Sequence, residues 1–347
     1  QGFQFSPETD VTSDLVQEFH AYTAAHLVQE ALHKKDWKGA DIIIIGSTTS
    51  RPEITQYVPN ARFVNYACNL FPGSIGDIYR NPDYKNQNLK VVIVGVESIV
   101  GAPNEKKTSK IFGNGAGWMA FETNDFEHLD GETVVSQDTM NVIQVPKMYE
   151  WPPSGERLPI LDGYSFVNGS EAVYCRTHDG NFVSIPESPD KFFHMKDRTA
   201  VSFLRMMPPI VTRAIRKYRQ EFQPVLGMPL QEPMCHQPSQ RVTEAVEEDV
   251  YRLDMIADGI DPKEAARISI LDANQRLSAL EQIGKPELGY SVPFVLRETN
   301  NMSAPTFVAM GIEMVHQGRI VPNKPMLLIG YGACHIGTVE TVIPRFK

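Results

Sequence analysis

The pattern of apolar and polar positions in the first third of the chain predicts alternating helices and strands. In residues 13–32, Leu15, Phe19 and Leu27 fall on one broad side, which is typical of an amphipathic helix. The apolar run at 41–46 ends in glycine, as expected of a strand buried on both faces of a sheet. Further strands are predicted at 63–67, 90–96 and 118–122. Helices and strands in this order predict an α/β fold with at least three layers.

The remainder of the chain is predicted to be mainly helical, apart from its middle and its end. Residues 145–191 are rich in proline, glycine and aromatic residues, so we expect hairpins and loops that join two halves. Strong helical patterns follow at 197–222 and at 241–282, the second with a break near 259–262. A last apolar strand begins at Met326.

A weak internal repeat links the two ends of the chain. The predicted strand at Val91 begins 23 positions after Cys68, and the strand at Met326 begins 23 positions after Ser303. Both segments run through a turn of small residues, a helix, a polar loop and an apolar strand. We therefore predict two halves built on one plan that meet around a shared site.

Charge and cysteine content exclude several classes of protein. A formal net charge of −9 over 347 residues argues against a general nucleic-acid-binding protein. The apolar runs are too short to span a membrane, and no secretory signal precedes the globular pattern. The four cysteines are widely spaced, without a CxxC pair, which favours a reducing compartment. We expect a cytoplasmic protein that binds neither nucleic acid nor membrane.

Motif spacing also argues against a nucleotide or a metal. The glycine-rich segment 112–117 matches the dinucleotide-binding pattern only loosely and lacks a downstream acidic residue at the right offset. Cys235 and His236, like Cys334 and His335, are adjacent pairs that cannot easily chelate one ion. We therefore expect no metal and no nucleotide cofactor.

Three predicted turns supply a thiol, an imidazole and a carboxamide. Cys68 lies where a strand passes into a helix, and the positive end of the helix dipole favours the nucleophilic thiolate there. Its alternative interpretation is a buried structural cysteine. His236 and Asn301 occupy similar turns, with a core histidine and a helix cap as their alternatives. Taken one at a time, these residues leave both interpretations open.

Glycines follow the last apolar strand at Gly330 and Gly332. A glycine in such a place lets the backbone approach a ligand and offer an N–H group, as an oxyanion hole requires. A plain turn is the alternative interpretation.

The order of these motifs resembles the β-ketoacyl-acyl-carrier-protein synthase III group of the thiolase superfamily. Members of that group carry a nucleophilic cysteine in a small-residue turn, then Phe-Gly-Asp-Gly-Ala-Gly, His-Gln-Ala-Asn and Gly-Asn-Thr-Ser-Ala. The corresponding segments here are Ala67-Cys68, Phe112-Gly-Asn-Gly-Ala-Gly117, His236-Gln-Pro-Ser239 and Asn300-Asn-Met-Ser-Ala304. The match spans nearly the whole chain, although the stretch between His236 and Asn301 is longer than in the family.

The resemblance implies a five-layered αβαβα thiolase fold with two pseudo-symmetric halves, at 1–150 and 191–347, joined by loops and hairpins at 151–190. It implies a homodimeric ketosynthase that holds an acyl group on Cys68 and condenses it with a malonyl thioester. His236 and Asn301 would stabilise the enolate, and the backbone N–H groups of Cys68 and Gly332 would bind the oxyanion. Substrates would be thioesters of coenzyme A or phosphopantetheine, without a further cofactor.

A basic helix points to a partner. Arg213, Arg216 and Lys217 cluster within about one turn of a predicted helix in an acidic protein, and Arg241 follows His236 closely. An acidic acyl carrier protein and its phosphopantetheine would bind such a patch, and in the resembled family the position of Arg241 contributes to docking. A solvated helix face is the alternative.

Two other functions remain open on the sequence. One is an acyltransferase on the same fold, which would pass the acyl group from Cys68 to an alcohol or amine. The other is a catalytically silent subunit that pairs with an active homologue. The presence of Asn301 favours condensation over simple transfer, and the presence of all three reactive residues argues against a silent subunit.

Overall fold

The computed structural model describes residues 14–47, 52–64, 66–97, 115–138, 141–144, 173–176, 182–183, 192–195, 197–285, 288, 290–292, 301–332 and 336–345. The helices in these residues are α1 (Asp14–Lys34), α2 (Leu70–Arg80), α3 (Asp197–Lys217), α4 (Gln223–Leu226), α5 (Gln240–Ala257), α6 (Pro262–Ser269), α7 (Ala273–Gln282) and α8 (Ala304–His316). The strands are β1 (Ile42–Gly46), β2 (Arg62–Val64), β3 (Lys90–Glu97), β4 (Gly115–Glu122), β5 (Phe126–Asp138), β6 (Asn141–Gln144), β7 (Val173–Arg176), β8 (Phe182–Val183), β9 (Phe192–Met195), β10 (Met234–Cys235), β11 (Met326–Gly332) and β12 (Ile336–Pro344).

The first sheet has the strand order β2-β1-β3-β4, with β1 parallel to β2 and β3, and β4 antiparallel to β3. Alternate residues of β3 enter two different cores. Val92 and Val94 pack with the buried alanines of α1 on one face, whereas Val91 and Ile93 pack with the central helices on the other. Between Val91 and Val96 the strand contains only apolar residues and glycine, because both of its faces are covered.

The second sheet has the order β10-β11-β12-β5-β6, in which β10 and β11 are parallel and the other neighbours are antiparallel. Helices α2 and α8 lie between the two sheets, where Phe71 and Phe307 stack with ring centroids 6.0 Å apart. Helix α3 covers the outer face of the second sheet and packs in turn against α5. The layers are α1, first sheet, α2 with α8, second sheet and α3, which confirms the predicted αβαβα arrangement.

The division of the chain between the sheets differs from the predicted halves. Residues 126–144 fall within the predicted first half, 1–150, yet β5 and β6 belong to the second sheet. The two sheets therefore divide the chain near residue 125, after β4 has ended. Because polar residues such as Asp130 and Glu132 alternate along β5, this strand lacks the continuous apolar run that predicts the other strands.

The described parts of the middle segment and the helical region at 197–222 have the predicted types of secondary structure. Strands β7, β8 and β9 form an antiparallel sheet, in agreement with the predicted hairpins, and most of 145–191 lies outside the described residues. The predicted helix at 197–222 is α3 followed by a π-helical turn, Tyr218–Phe222. No helix in the described ranges is long and apolar enough to cross a membrane.

Candidate functional site

The turn that bears Cys68 connects β2 to α2. Residues Ala67–Asn69 form one 3-10 turn, and Cys68 is buried with 7% of its surface exposed. Asn69 does not cap α2 with its side chain, but donates from Nδ2 to Thr338 Oγ1 on β12 at 2.9 Å. The turn also packs against β11. A tertiary hydrogen bond to the second sheet thus fixes the turn.

Cys68 meets a second turn, from the other end of the chain. Its Sγ lies 3.3 Å from Oγ of Ser303, the residue that precedes α8. Ser303 has φ 59° and ψ −128°, the geometry of the first central residue of a type II′ turn, which glycine usually occupies. Holding a non-glycine residue in such a conformation costs of the order of 1–3 kcal/mol. The contact places the predicted nucleophile beside the loop that carries Asn301.

The Asn301 side chain is held by its oxygen. Oδ1 accepts a hydrogen bond from the Ser303 backbone N–H at 2.8 Å and another from the Thr306 hydroxyl at 3.4 Å. The first contact forms an Asx turn, so Asn301 organises the loop while Ser303 takes the helix-cap position. Because Oδ1 is engaged twice, the carboxamide presents Nδ2 as its hydrogen-bond donor.

His236 directly follows β10, the strand that pairs with β11. Its backbone N–H donates to Ile329 O at 2.9 Å, and its side chain is buried, with the residue 5% exposed. Burial lowers the pKa of His236 from 6.5 to about 3. Nδ1 has no hydrogen-bond partner among the residues that the structure describes. The imidazole is therefore neutral at physiological pH and retains hydrogen-bonding capacity.

Cys235, the neighbour of His236, is a useful contrast with Cys68. It is 4% exposed, and burial raises the pKa of its thiol to about 12. A thiol with such a pKa stays protonated and is a poor nucleophile. Cys175 has no described side chain, and Cys334 and His335 lie outside the described residues.

Gly330 follows Ile329, the backbone partner of His236, and lies against the segment that begins with the Cys68 turn. A Cβ atom there would lie 2.8 Å from the Pro72 side chain and would overlap the Asn69 amide oxygen. Only glycine therefore lets β11 approach the Cys68 turn so closely. Gly332 ends the same strand, opposite Ile336. Its role in an oxyanion hole stays a prediction.

The glycine-rich segment also reaches the site. Strand β4 begins at Gly115, and a Cβ atom on Gly115 would lie 2.6 Å from Sδ of Met302. The segment thus packs on the loop between Asn301 and Ser303. Residues 112–114 lie outside the described part of the chain.

The cations of the predicted basic patch on α3 have ion-pair partners within the chain. Each of its three cations is paired with carboxylates from other segments of the chain. The pairs are Arg213 with Glu132 (2.8 Å), Arg216 with Asp254 (3.0 Å) and Asp258 (2.7 Å), and Lys217 with Asp130 (2.7 Å). These pairs neutralise much of the charge of the cluster, and its role in carrier docking stays a prediction. Arg241 lies exposed in the first turn of α5.

No group of three or more His, Cys, Asp or Glu residues among the described ones could hold a metal ion. The absence of metal and nucleotide cofactors stays a prediction from the motifs.

Comparisons with known proteins identify the fold. No protein-family model and no curated protein matches the chain. Among solved structures, 3-oxoacyl-(acyl carrier protein) synthase III from Pseudomonas aeruginosa is similar over 94% of this chain and 84% of its own, with 14% identity and a TM-score of 0.57. The type III polyketide synthase 1,3,6,8-tetrahydroxynaphthalene synthase from Streptomyces coelicolor is similar over 98% and 83%, with 11% identity and a TM-score of 0.58.

Germicidin synthase from Streptomyces coelicolor, another type III polyketide synthase, is similar over 96% of this chain and 75% of its own, with 11% identity and a TM-score of 0.56. At such low identity the likeness shows the fold alone. The chain has the thiolase fold of these condensing enzymes, as the sequence resemblance implies.

Proposed function

We propose that the protein is a ketosynthase, which holds an acyl group on Cys68 and extends it by decarboxylative condensation with a malonyl thioester. The observation that supports this most directly is the contact between Cys68 and the loop of Asn301. Cys68 thus lies against Ser303, the residue whose N–H binds the Asn301 side chain, in the fold of known condensing enzymes.

In the first stage, the Cys68 thiolate attacks the carbonyl carbon of an acyl thioester. A new carbon–sulfur bond forms, the carrier leaves as its thiolate and takes up a proton, and the acyl group stays on the enzyme. The tetrahedral intermediate carries a negative oxygen, which the backbone N–H groups of Cys68 and Gly332 would bind.

In the second stage, a malonyl thioester replaces the first carrier. His236 and the Nδ2 group of Asn301 donate hydrogen bonds to its thioester carbonyl. The carbon–carboxylate bond breaks, carbon dioxide leaves, and the electron pair remains as an enolate that these donors stabilise. The enolate carbon attacks the acyl carbonyl, and the Cys68 thiolate leaves as the β-ketoacyl product forms.

The buried, neutral state of His236 suits this role. A pKa of about 3 keeps the ring uncharged across the physiological range, so its N–H donates without transferring a proton. The orientation of Asn301 supports condensation over the acyltransferase alternative, because simple acyl transfer forms no enolate that would need its Nδ2 group.

The substrates of the proposed reaction are acyl and malonyl thioesters, in fatty-acid or polyketide-type synthesis. They would be carried by coenzyme A or by an acyl carrier protein, with no other cofactor, and the enzyme would act as a homodimer. The structural neighbours include a 3-oxoacyl-(acyl carrier protein) synthase III and a type III polyketide synthase, which supports this substrate class.

The test is acyl loading followed by extension. Intact-protein mass spectrometry after exposure to a panel of acyl thioesters should show one acyl adduct, which peptide mapping places on Cys68. The Cys68→Ala variant should not load, whereas Cys235→Ala should load normally, because Cys235 is a buried, protonated thiol. The loaded enzyme should release carbon dioxide from a malonyl thioester. Loading that survives Cys68→Ala would rule the proposal out.

A further inference from the structure

Ser303 has no part in the mechanism above, yet its hydroxyl oxygen lies 3.3 Å from the sulfur of Cys68. We infer that Ser303 is a positioning residue for Cys68, whose hydroxyl orients the sulfur and stabilises it as thiolate by donating a hydrogen bond. This inference rests on the proposed role of Cys68 as acyl acceptor.

A hydroxyl suits both protonation states of the cysteine. A serine oxygen accepts from a thiol S–H, and after the thiol loses its proton the O–H group rotates and donates to the sulfur. Hydrogen bonds to an ionised partner are roughly twice as strong as those between neutral groups. The same contact therefore stabilises the thiolate more than the thiol.

The backbone conformation of Ser303 is strained for a residue that bears a side chain. Its positive φ is a conformation in which glycine would be unstrained. Residues in such sparsely populated backbone conformations cluster at active sites, where the surrounding structure holds them in place. A serine at such a position is expected where its hydroxyl is used.

The surrounding packing fixes the position of Ser303. Its N–H donates to Asn301, and its carbonyl accepts from the Thr306 N–H at 3.1 Å. At the start of α8, the Cβ atom of Ala304 would lie only 3.1 Å from a Cβ atom on Gly95 of β3. Gly95 therefore permits the close approach of α8 to β3, and hydrogen bonds hold the loop before the helix, so the Ser303 hydroxyl lies beside Cys68 in a defined place.

The test measures Cys68 directly, without any acyl substrate. The rate of Cys68 alkylation by iodoacetamide is followed as a function of pH, with peptide mapping to separate it from the other cysteines. In Ser303→Ala, loss of the donor should move the midpoint of the rate–pH profile upward by about one unit. Acyl loading at neutral pH should slow by only about threefold, because a more basic thiolate is also more nucleophilic.

Two further variants separate the hydroxyl from the strained turn. Ser303→Gly also lacks the hydroxyl but relieves the backbone strain, and should show the same upward shift with a higher melting temperature. If Ser303→Ala does not fold, Ser303→Gly still measures the effect of losing the hydroxyl. Ser74→Ala, a change at a fully buried serine of α2, is the matched control and should leave the midpoint in place.

The outcomes distinguish this inference from the proposed function. An unchanged midpoint in both Ser303 variants overturns the inference, even if Cys68 loads acyl groups normally. A shifted midpoint in both variants supports it, and does so even if no thioester acylates Cys68, in which case the ketosynthase proposal fails instead. A shift in Ser303→Gly alone would assign the effect to the turn and overturn the role of the hydroxyl.

Discussion

Cys68 Sγ and Ser303 Oγ are 3.3 Å apart, although the two residues are separated by 235 positions in the sequence. Each lies in the turn that leads into one of the two central helices, α2 and α8. The candidate site is therefore formed by equivalent turns of the two halves, as the spacing of 23 residues in both segments predicts. The first prediction concerns the loop on the Ser303 side.

Asn301→Ala should accept an acyl group on Cys68 but release little carbon dioxide from a malonyl thioester. Losing one preorganised donor to a developing oxyanion typically slows a reaction about a hundred- to a thousand-fold. The measurement is single-turnover carbon dioxide release, with acyl loading followed separately by mass spectrometry.

Asn301→Asp is the matched control for loop structure. It keeps an oxygen that can accept from the Ser303 N–H and the Thr306 hydroxyl, but it lacks the Nδ2 donor. Both variants should lose condensation to a similar extent. Normal condensation in either variant would contradict the role of the Asn301 Nδ2 group in stabilising the enolate.

His236 should make the protein less stable in mild acid. Its pKa is about 3 in the folded protein and 6.5 in an unfolded chain, so below pH 6.5 the unfolded state takes up a proton that the folded state does not. The stability present above pH 6.5 is lost progressively as pH falls towards 3, by about 2 kcal/mol at pH 5.

In His236→Gln, the decrease in unfolding free energy between pH 7.5 and pH 5 should be smaller by this amount, as measured by urea denaturation. His26→Gln, at an exposed position on α1, should show the same pH dependence as the unmodified protein. An identical acid response in all three proteins would mean that His236 takes up its proton as readily in the folded state as in the unfolded state, contrary to its lowered pKa.

Glu340 should be among the most important charged residues for stability. It is fully buried on β12, forms an ion pair with Arg80 and contacts His128 Nε2 at 2.7 Å. Glu340→Gln leaves the Arg80 cation without its closest counter-charge, and removing one partner of a buried pair costs about 3–5 kcal/mol. Arg80 is partly exposed, so we expect the lower end, about 3 kcal/mol, in urea denaturation.

Glu264→Gln provides the comparison for this loss. Its partner Arg267 is exposed, and surface pairs of this kind contribute little to stability. A similar loss in both variants would show that the buried position of Glu340 is unimportant.

The last prediction concerns carrier docking. Arg241 lies exposed five positions after His236, so Arg241→Glu should raise the KM for a carrier-bound substrate and weaken its dependence on salt. Turnover of a small pantetheine thioester, which lacks the acidic protein, should change much less. Arg213→Glu should have a smaller effect on the carrier, because Glu132 already neutralises Arg213. Equal losses with both substrates after Arg241→Glu would contradict docking at this residue.

The layers around the first sheet could be predicted because its strands β1 and β3 contain continuous apolar runs. Strand β3 is buried on both faces, so its sequence from Val91 to Val96 contains only apolar residues and glycine. The amphipathic pattern of α1 likewise predicted a helix within one or two residues of its observed ends. These signals are local, which is why they can be read from one sequence.

The partners of charged residues could not be predicted in this way. The cations at 213–217 form a basic patch in the sequence, but Asp130 and Glu132 of β5 neutralise much of it in the structure. The sequence places Ser303 in the motif at 300–304 and at the start of a repeat segment, where its correspondence to Cys68 is the signal that the two turns meet. Contacts between distant segments depend on the fold itself and are invisible in local patterns.

The position of β5 has a consequence for biosynthesis. The strand leaves the ribosome early, but it pairs with β12, and its His128 contacts Glu340, which is 212 positions later. At about 5–20 residues per second, translation of that interval takes about 10–40 seconds. Throughout that time one edge of β5 has no native partner and is exposed to pairing with other chains. A chaperone that covered this edge during translation would prevent such pairing.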